Sequence, residues 1–285
     1  MFRKGLLLTM LLAACVAFLP AQSQADKGTV KLSYVEWSCA TASTNVAAAI
    51  IQEKLGYEVD TLPVSAAAMW QAVASGDVDG MLTAWLPVTH KPYYTKLKDD
   101  VINLGHLATG AKIGLVVPDY VTIDSIDEMN EYADKFDHKI IGIDPGAGIM
   151  MKTEKALKDY DMKGFSLVEG SGATMTAALQ DAIRRDEWVA VTGWAPHWKF
   201  GRWDLKFLKD PKGVYGGAEN IDKIVRKGLE EDKPEVYNFL KRMHWDLDVM
   251  QTVMAWNQED GADPYENGKR FIKEYPELVN QWLGK

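Results

Sequence analysis

Apolar runs alternate with helical patterns in the same order along residues 31–85 and 139–194. Each segment begins with a short apolar run, passes through a helical stretch to a second run, and after another helical stretch ends in a third run that closes on Trp. Short buried runs separated by helices are typical of parallel strands in βαβ units. The pattern therefore predicts two βαβαβ units of similar construction.

The third run of each unit ends in a similar sequence, TAWLP at 83–87 and TGWAP at 192–196. In open α/β sheets, ligands bind outside the carboxyl ends of the strands. Trp85 and Trp194 are thus expected at the ligand-facing ends of two sheets, together with Trp37 at the end of the first predicted strand. The sequence predicts an α/β protein of two lobes with a ligand cleft between them.

Two segments are predicted to connect the lobes. The extended, β-branched run AKIGLVVP at 111–118 is the first, and the Gly-rich PKGVYGG at 211–217 is the second. The first lobe is predicted to comprise residues 26–112 and 211–285, and the second lobe residues 113–210. Two connections of this kind would make a hinge. Amphipathic helices are predicted in the C-terminal part of the first lobe, at 221–229, 234–243, 248–256 and 264–282.

Residues 1–25 have the pattern of a secretory signal peptide. Arg3 and Lys4 precede an apolar stretch at 6–19, and small residues lie before a cleavage point at residue 25. The apolar stretch is shorter than the roughly 20 residues that span a membrane. We therefore expect an exported, periplasmic protein. An alternative stays open, because LAAC at 12–15 resembles a lipoprotein cleavage box that would place a lipid anchor on Cys15.

The composition excludes several classes of function. Removal of the signal peptide changes the net charge from −8 to −10, because it takes away two basic residues and no acidic ones. An acidic surface argues against nucleic acid or an anionic membrane as a partner. No His pair has helical metal-ligand spacing, and no nucleotide-binding or nucleophile motif is present. We expect a monomeric protein without catalytic residues, metal or cofactor, and therefore not an enzyme.

The turn at 146–149 is a candidate anion site. It follows an apolar run and opens a predicted helix, so that the N–H groups of Gly148 and Ile149 would be free donors at the positive end of the helix dipole. A carboxylate or phosphate would fit there without Arg or Lys. His90, five residues after Trp85, would donate to the same carboxylate. The alternatives are a tight turn with no ligand and a solvated loop histidine.

The three Trp residues at the strand ends suit a different group. Aromatic faces attract cations, and a methylated ammonium cannot use hydrogen bonds instead. Trp37, Trp85 and Trp194 are therefore candidates for a cation cage, the alternative being that they pack strand ends against helices. A cation cage beside an anion site predicts a zwitterionic ligand.

Long motifs give the chain a resemblance to a known family. They are VEW at 35–37, SAAAMWQAVASGDVDGMLTAWLPVTHKPYY at 65–94, GLVVP at 114–118, IIGIDPGAGIM at 140–150 and VTGWAPHW at 191–198. The mature chain resembles the glycine betaine-binding proteins of the OpuAC type, extracytoplasmic receptors of ABC importers. The resemblance implies a periplasmic-binding-protein-like fold of type II, with an ABC permease and its ATPase as partners.

The same resemblance implies roles for individual residues. Trp37, Trp85 and Trp194 would form a prism around the trimethylammonium group, while the amides of Gly148 and Ile149 and the side chain of His90 would hold the carboxylate. Residues 38–41 have no match in the family pattern, so proline betaine, carnitine, choline and dimethylsulfoniopropionate stay open as ligands. So do a receptor that presents its ligand to a sensor and an exported enzyme acting on a methylated amine.

Overall fold

A mixed sheet of nine strands runs through the part of the chain that the computed structural model describes, residues 27–285. The predicted signal peptide and Cys15 lie outside these residues. The strands are β1 Thr29–Tyr34, β2 Glu58–Pro63, β3 Gly80–Leu86, β4 Val101–Pro118, β5 Lys139–Ile141, β6 Ser166–Val168, β7 Ala190–Ala195, β8 Leu205–Phe207 and β9 Glu219–Arg226.

Helices cover both faces of this sheet. They are α1 Ser38–Ile50, α2 Ala66–Ser75, α3 Lys91–Leu97, α4 Gly148–Asp159, α5 Gly172–Arg184, α6 Lys199–Arg202, α7 Leu229–Asp232, α8 Pro234–Arg242, α9 Leu247–Trp256, α10 Pro264–Glu274 and α11 Pro276–Leu283. A short π-helical turn, Ile51–Leu55, continues α1, and an irregular 3₁₀ segment, Ile126–Phe136, precedes β5. None of the helices described between residues 27 and 285 is long and apolar enough to cross a membrane.

The two predicted βαβαβ units are present and share one strand order. In the first unit the parallel strands lie in the order β2-β1-β3, and in the second in the order β6-β5-β7. Each unit is continued by an antiparallel strand, β9 beside β3 and β4 beside β7. Because the order is the same, the carboxyl ends of β3 and β7 occupy equivalent places in their units. The predicted α/β fold with two such units is confirmed.

Strand β4 belongs to both parts of the sheet. Its pairing with β9 ends at Ala111, which lies opposite Glu219, and its pairing with β7 begins at Lys112, which lies opposite Ala195. We call the strands on the β9 side, with their helices, the first half, and those on the β7 side the second half. The predicted boundaries at 112/113 and 210/211 stay a prediction.

The prediction of a helix at 221–229 is wrong, because most of this segment is the central strand β9. The charged residues of IDKIVRK suggest a polar helix face, yet in the sheet Asp222 and Lys223 are buried and paired. Asp222 accepts hydrogen bonds from Asn103 and His106, and the Lys223 ammonium donates to two backbone carbonyls. Pairing with β3 and β4 on its two sides overrides the local pattern.

The prediction of one helix at 264–282 is also wrong, because the chain forms α10 and α11 with a break between them. Pro276 has no N–H, and its ring disfavours helical geometry at the preceding residue. Tyr275 accordingly has φ −123° and ψ 51°. Helix α10 packs closely on α1 of the first half, since a Cβ at Gly268 would lie 2.5 Å from the carbonyl oxygen of Asn45.

A buried ion cluster fastens the C-terminal segment to the first unit. The carboxylate of Asp79, just before β3, lies 2.9 Å from Arg226 of β9 and 2.7 Å from Lys233 at the start of α8. It also accepts a hydrogen bond from the backbone N–H of Lys31 in β1. The C-terminal helices are thereby part of the first half.

Candidate functional site

One cavity between the two halves collects every ligand-binding residue that the sequence predicts. The free space in it and at its mouth is about 320 Å³. It is lined by Trp37, Cys39, Trp85, Thr89, His90, Ile113, Ile143, Ala147, Gly148, Ile149 and Trp194. A space of this size suits a ligand of few atoms.

Three indole rings form much of the wall. Trp85 and Trp194 are the second-to-last residues of β3 and β7, so the equivalent strand ends of the two units direct one ring each into the cavity. Trp37 differs from the prediction, because β1 ends at Tyr34 and Trp37 lies in the turn before α1. The three rings are 6%, 4% and 4% exposed for Trp37, Trp85 and Trp194. They are dry enough for cation–π attraction to be strong.

His90 is held as a neutral hydrogen-bond donor. Its Nδ1 accepts from the backbone N–H of Trp85 at 3.2 Å, so in the neutral ring the proton is on Nε2. Burial lowers the pKa of His90 to about 3, because a charged imidazole would be desolvated there. Its ring lies 5.6 Å from that of Trp37, centroid to centroid. The Nε2–H group has no acceptor recorded within residues 27–285 and is available to a ligand.

The N-terminus of α4 supplies further donors at the cavity. Gly148 and Ile149 are its first two residues, and no oxygen of the described chain accepts from their N–H groups. Two free N–H groups at the positive end of a helix of 12 residues favour an anion. Close contact between the halves also requires glycine here, since a Cβ at Gly148 would lie 2.4 Å from the carbonyl oxygen of Thr89.

A buried carboxylate fixes the loop between Trp85 and His90. Glu219, the first residue of β9, accepts from the N–H of Val88 at 2.7 Å and from the N–H of Thr89 at 2.8 Å. It also accepts from the Thr89 hydroxyl. These three bonds position the loop that carries His90, at the point where β9 begins and β4 passes between the halves.

Four side-chain hydrogen bonds join the halves around the cavity. Trp37 Nε1 donates to Asp144 at 2.9 Å, and burial raises the pKa of that carboxyl. Tyr93 donates to the carbonyl oxygen of Gly146 at 2.6 Å. The hydroxyl of Ser38 pairs with His197 Nε2 at 3.3 Å and accepts from Trp198 Nε1 at 3.1 Å. The halves are thus closed over the cavity.

Sequence reasoning missed Cys39 and four other wall residues, which are Thr89, Ile113, Ile143 and Ala147. Burial raises the pKa of the Cys39 thiol to about 11, so this wall residue is neutral. The sequence signal that could have identified Cys39 as a wall residue is its position two residues after Trp37, at the start of α1. Of the other four, three lie inside the family motifs and Ile113 lies just before one, and all four are too apolar or small to stand out in a sequence.

The site offers aromatic faces and neutral N–H donors. Its two titratable wall residues, Cys39 and His90, are both neutral at pH 7. Within residues 27–285 no three His, Cys, Asp or Glu side chains are grouped to hold a metal ion. The arrangement suits binding of a small cation or zwitterion without chemical change.

The chain belongs to the family of substrate-binding domains of ABC-type glycine betaine transport systems, because the family model, OpuAC, matches residues 28–274. This confirms the resemblance that the motifs indicate. The family consists of binding domains, so the prediction that the chain is not an enzyme is also confirmed.

Individual relatives agree with the family. The glycine betaine/carnitine transport binding protein GbuC of Listeria monocytogenes is 46% identical over 163 residues, which are 56% of this chain and 54% of GbuC. This chain therefore matches about half the length of that relative.

Among solved structures, the glycine betaine, L-proline-binding protein ProX of Borrelia burgdorferi is 40% identical, with a TM-score of 0.86 over 89% of this chain and 96% of ProX. Lactococcal OpuAC, closed on glycine betaine, is 42% identical, with a TM-score of 0.85 over 90% of this chain and 99% of OpuAC. These likenesses confirm the periplasmic-binding-protein-like fold.

Proposed function

We propose that the protein is the extracytoplasmic receptor of an ABC importer and binds glycine betaine in the cavity between its halves. The observation that carries the proposal is the combination of three dry indole rings with the free N–H groups of Gly148 and Ile149 in one small cavity. A compact zwitterion with a methylated cation and a carboxylate matches both parts.

In the proposed complex, the trimethylammonium group lies among Trp37, Trp85 and Trp194. The carboxylate accepts hydrogen bonds from the first N–H groups of α4 and from Nε2 of His90. Each dry ring contributes on the order of 1 to 2 kcal/mol. With the carboxylate contacts, a total of roughly −8 kcal/mol corresponds to micromolar affinity.

Because the rings and donors come from both halves, the ligand would complete a site that neither half holds alone and would shift the population toward the closed form. The β4 and β9 segments near Ala111 and Glu219 are the proposed hinge, where β4 passes from one half of the sheet to the other and β9 begins. The proposed boundaries of the lobes are those given by the sequence, 26–112 with 211–285 and 113–210.

The names of the relatives include ligands other than glycine betaine. GbuC is named for carnitine and ProX for L-proline as well as for glycine betaine. Choline, by contrast, lacks a carboxylate and would leave the N–H groups of Gly148 and Ile149 without an acceptor. We propose that the loaded receptor, as a monomer in the periplasm or anchored through Cys15, delivers its ligand to a membrane permease driven by an ATPase.

Substitution Trp194→Ala tests the cage. It removes one of three rings, so we expect the Kd for glycine betaine in calorimetry to rise at least about tenfold. The matched control is Trp188→Ala, whose ring packs on Tyr132 and Phe136 in the second half, outside the cavity. Circular dichroism verifies that both variants fold. Equal Kd values for Trp194→Ala and the unaltered protein would contradict the proposal.

A further inference from the structure

A lysine without a counter-ion is buried beside the Trp194 ring. Lys199, the first residue of α6, is 0% exposed, and within residues 27–285 its ammonium nitrogen has no hydrogen-bond partner. Nζ lies 4.7 Å from the centroid of the Trp194 ring. Trp194 lines the cavity and Lys199 does not, so the amine lies outside the cavity wall and adjoins one of its rings. A buried, unpaired amine of this kind requires an explanation.

The surroundings of Lys199 do not hold its proton firmly. Burial lowers the pKa of Lys199 to about 7, with Cys39 of α1 as its electrostatic neighbour. That thiol is neutral, since burial raises its pKa to about 11. His197, which accepts a hydrogen bond from the Lys199 backbone N–H at 3.1 Å, is neutral too, because burial lowers its pKa well below the usual value. The Phe200 ring completes the apolar contacts.

We propose that Lys199 is a positioning residue that acts on the ligand through the Trp194 ring, so that binding of a cation in the cage expels the Lys199 proton. The inference rests on the proposed function. A protonated amine and a quaternary ammonium beside the same indole would compete for its electron-rich ring and repel each other. A neutral amine leaves the ring to the ligand.

The direction of the pH dependence follows from this coupling. At pH values well below 7 Lys199 is charged and opposes the ligand, and at higher pH it is neutral, so the affinity rises as pH increases through about 7 and then levels off. Two unit charges about 10 Å apart at the effective dielectric constant of a protein correspond to roughly a tenfold difference in Kd between the two limits.

A tenfold difference means that the ligand lowers the pKa of Lys199 by about one unit. Half of the free protein and about a tenth of the complex would then carry the proton at pH 7, so binding releases about 0.4 proton. His90 and Cys39 do not contribute to this release, since their pKa values of about 3 and about 11 lie far from neutrality.

The experiment is a calorimetric titration of the unaltered protein with glycine betaine across pH 6 to 8, in buffers of high and low ionisation enthalpy. We expect a proton release near pH 7 and a Kd that falls about fivefold from pH 6 to pH 8. The substitution Lys199→Met introduces an apolar side chain of similar length. In this variant the proton release and the pH dependence of the Kd both vanish, and the Kd at pH 6 is about that of the unaltered protein at pH 8. The control Lys223→Met keeps both, because Lys223 is a second buried lysine, with a pKa lowered to about 8, that lies outside the cavity.

Three results would overturn the inference. The first is equal heats in both buffers with a constant Kd in the unaltered protein, a measurement that does not depend on the folding of any variant. The second is an unchanged pH dependence in Lys199→Met. The third is the absence of glycine betaine binding at every pH, which would refute the proposed function together with this inference, whereas the first two leave the proposed function standing.

Discussion

Replacing His90 with alanine separates the carboxylate contact from the cation cage. The substitution removes the Nε2–H donor and leaves the three rings that line the cavity in place. It also removes the acceptor of the Trp85 backbone N–H. In this variant the carboxylate of glycine betaine loses a hydrogen-bond donor, whereas choline has no carboxylate. The Kd values for the two ligands should therefore change by different amounts.

The expected effect is large for one ligand and small for the other. A hydrogen bond to a charged group contributes about 1.5 to 3 kcal/mol, so the Kd for glycine betaine should rise roughly 10- to 150-fold in His90→Ala. Any binding of choline should weaken by less than about threefold, which corresponds to under 1 kcal/mol. His90→Gln, which keeps an N–H donor, should recover part of the loss.

Calorimetry at pH 8, with circular dichroism and urea denaturation as checks of folding, measures these differences. Equal losses for glycine betaine and choline would refute the reasoning, because they would show that the substitution damages the whole cavity. Tighter binding on acidification from pH 7 to 5 would refute it as well, since the pKa of about 3 means that His90 acts as a neutral donor over that range.

Three other substitutions have definite expected outcomes. In Gly148→Ala, the new Cβ would lie 2.4 Å from the carbonyl oxygen of Thr89, so the halves cannot close as they do here, and the Kd for glycine betaine in calorimetry should rise more than about tenfold. Trp37→Phe keeps an aromatic ring and loses the donor to Asp144, and the Kd should rise about five- to tenfold. Asp79→Ala leaves Lys233 without a carboxylate partner and Arg226 with Asp232 alone, so the free energy of unfolding in urea should fall by about 3 kcal/mol, with the Kd unchanged.

Each of these outcomes can fail separately. An unaltered Kd in Gly148→Ala would mean that ligand binding does not need this approach of the halves. If Trp37→Phe binds as well as the unaltered protein, the bond to Asp144 has no part in closure. An unchanged free energy of unfolding in Asp79→Ala would show that the ion cluster does not stabilise the fold. A weaker affinity in the same variant would show that the cluster acts on the cavity.

The repeated pattern of apolar runs was sufficient to predict the two βαβαβ units and the cavity at their strand ends. Trp85 and Trp194 could be placed because they end runs that a parallel sheet must bury. Strand β9 could not, since Asp222 and Lys223 read as a helix surface and their partners lie far away in the sequence. Local pattern carries no information about pairing between distant segments.

The same limit applies inside the site. Cys39 and Lys199 are 160 residues apart in the chain, and only the closed fold brings both to the neighbourhood of Trp194. Lysine in a sequence is normally read as a surface residue, because burial of an amine without a partner is costly. The unpaired state of Lys199 becomes visible only when the complete set of neighbours is known.

The position of Cys39 has a consequence for measuring the motion of the protein. It is the one cysteine among residues 27–285, it is 2% exposed, and it lies in the wall of the cavity between the halves. A thiol reagent in solution therefore reaches it only while the halves are apart. The rate of labelling then reports the opening of the chain, and its slowing by a ligand gives the factor by which the ligand reduces the open population, without any engineered residue.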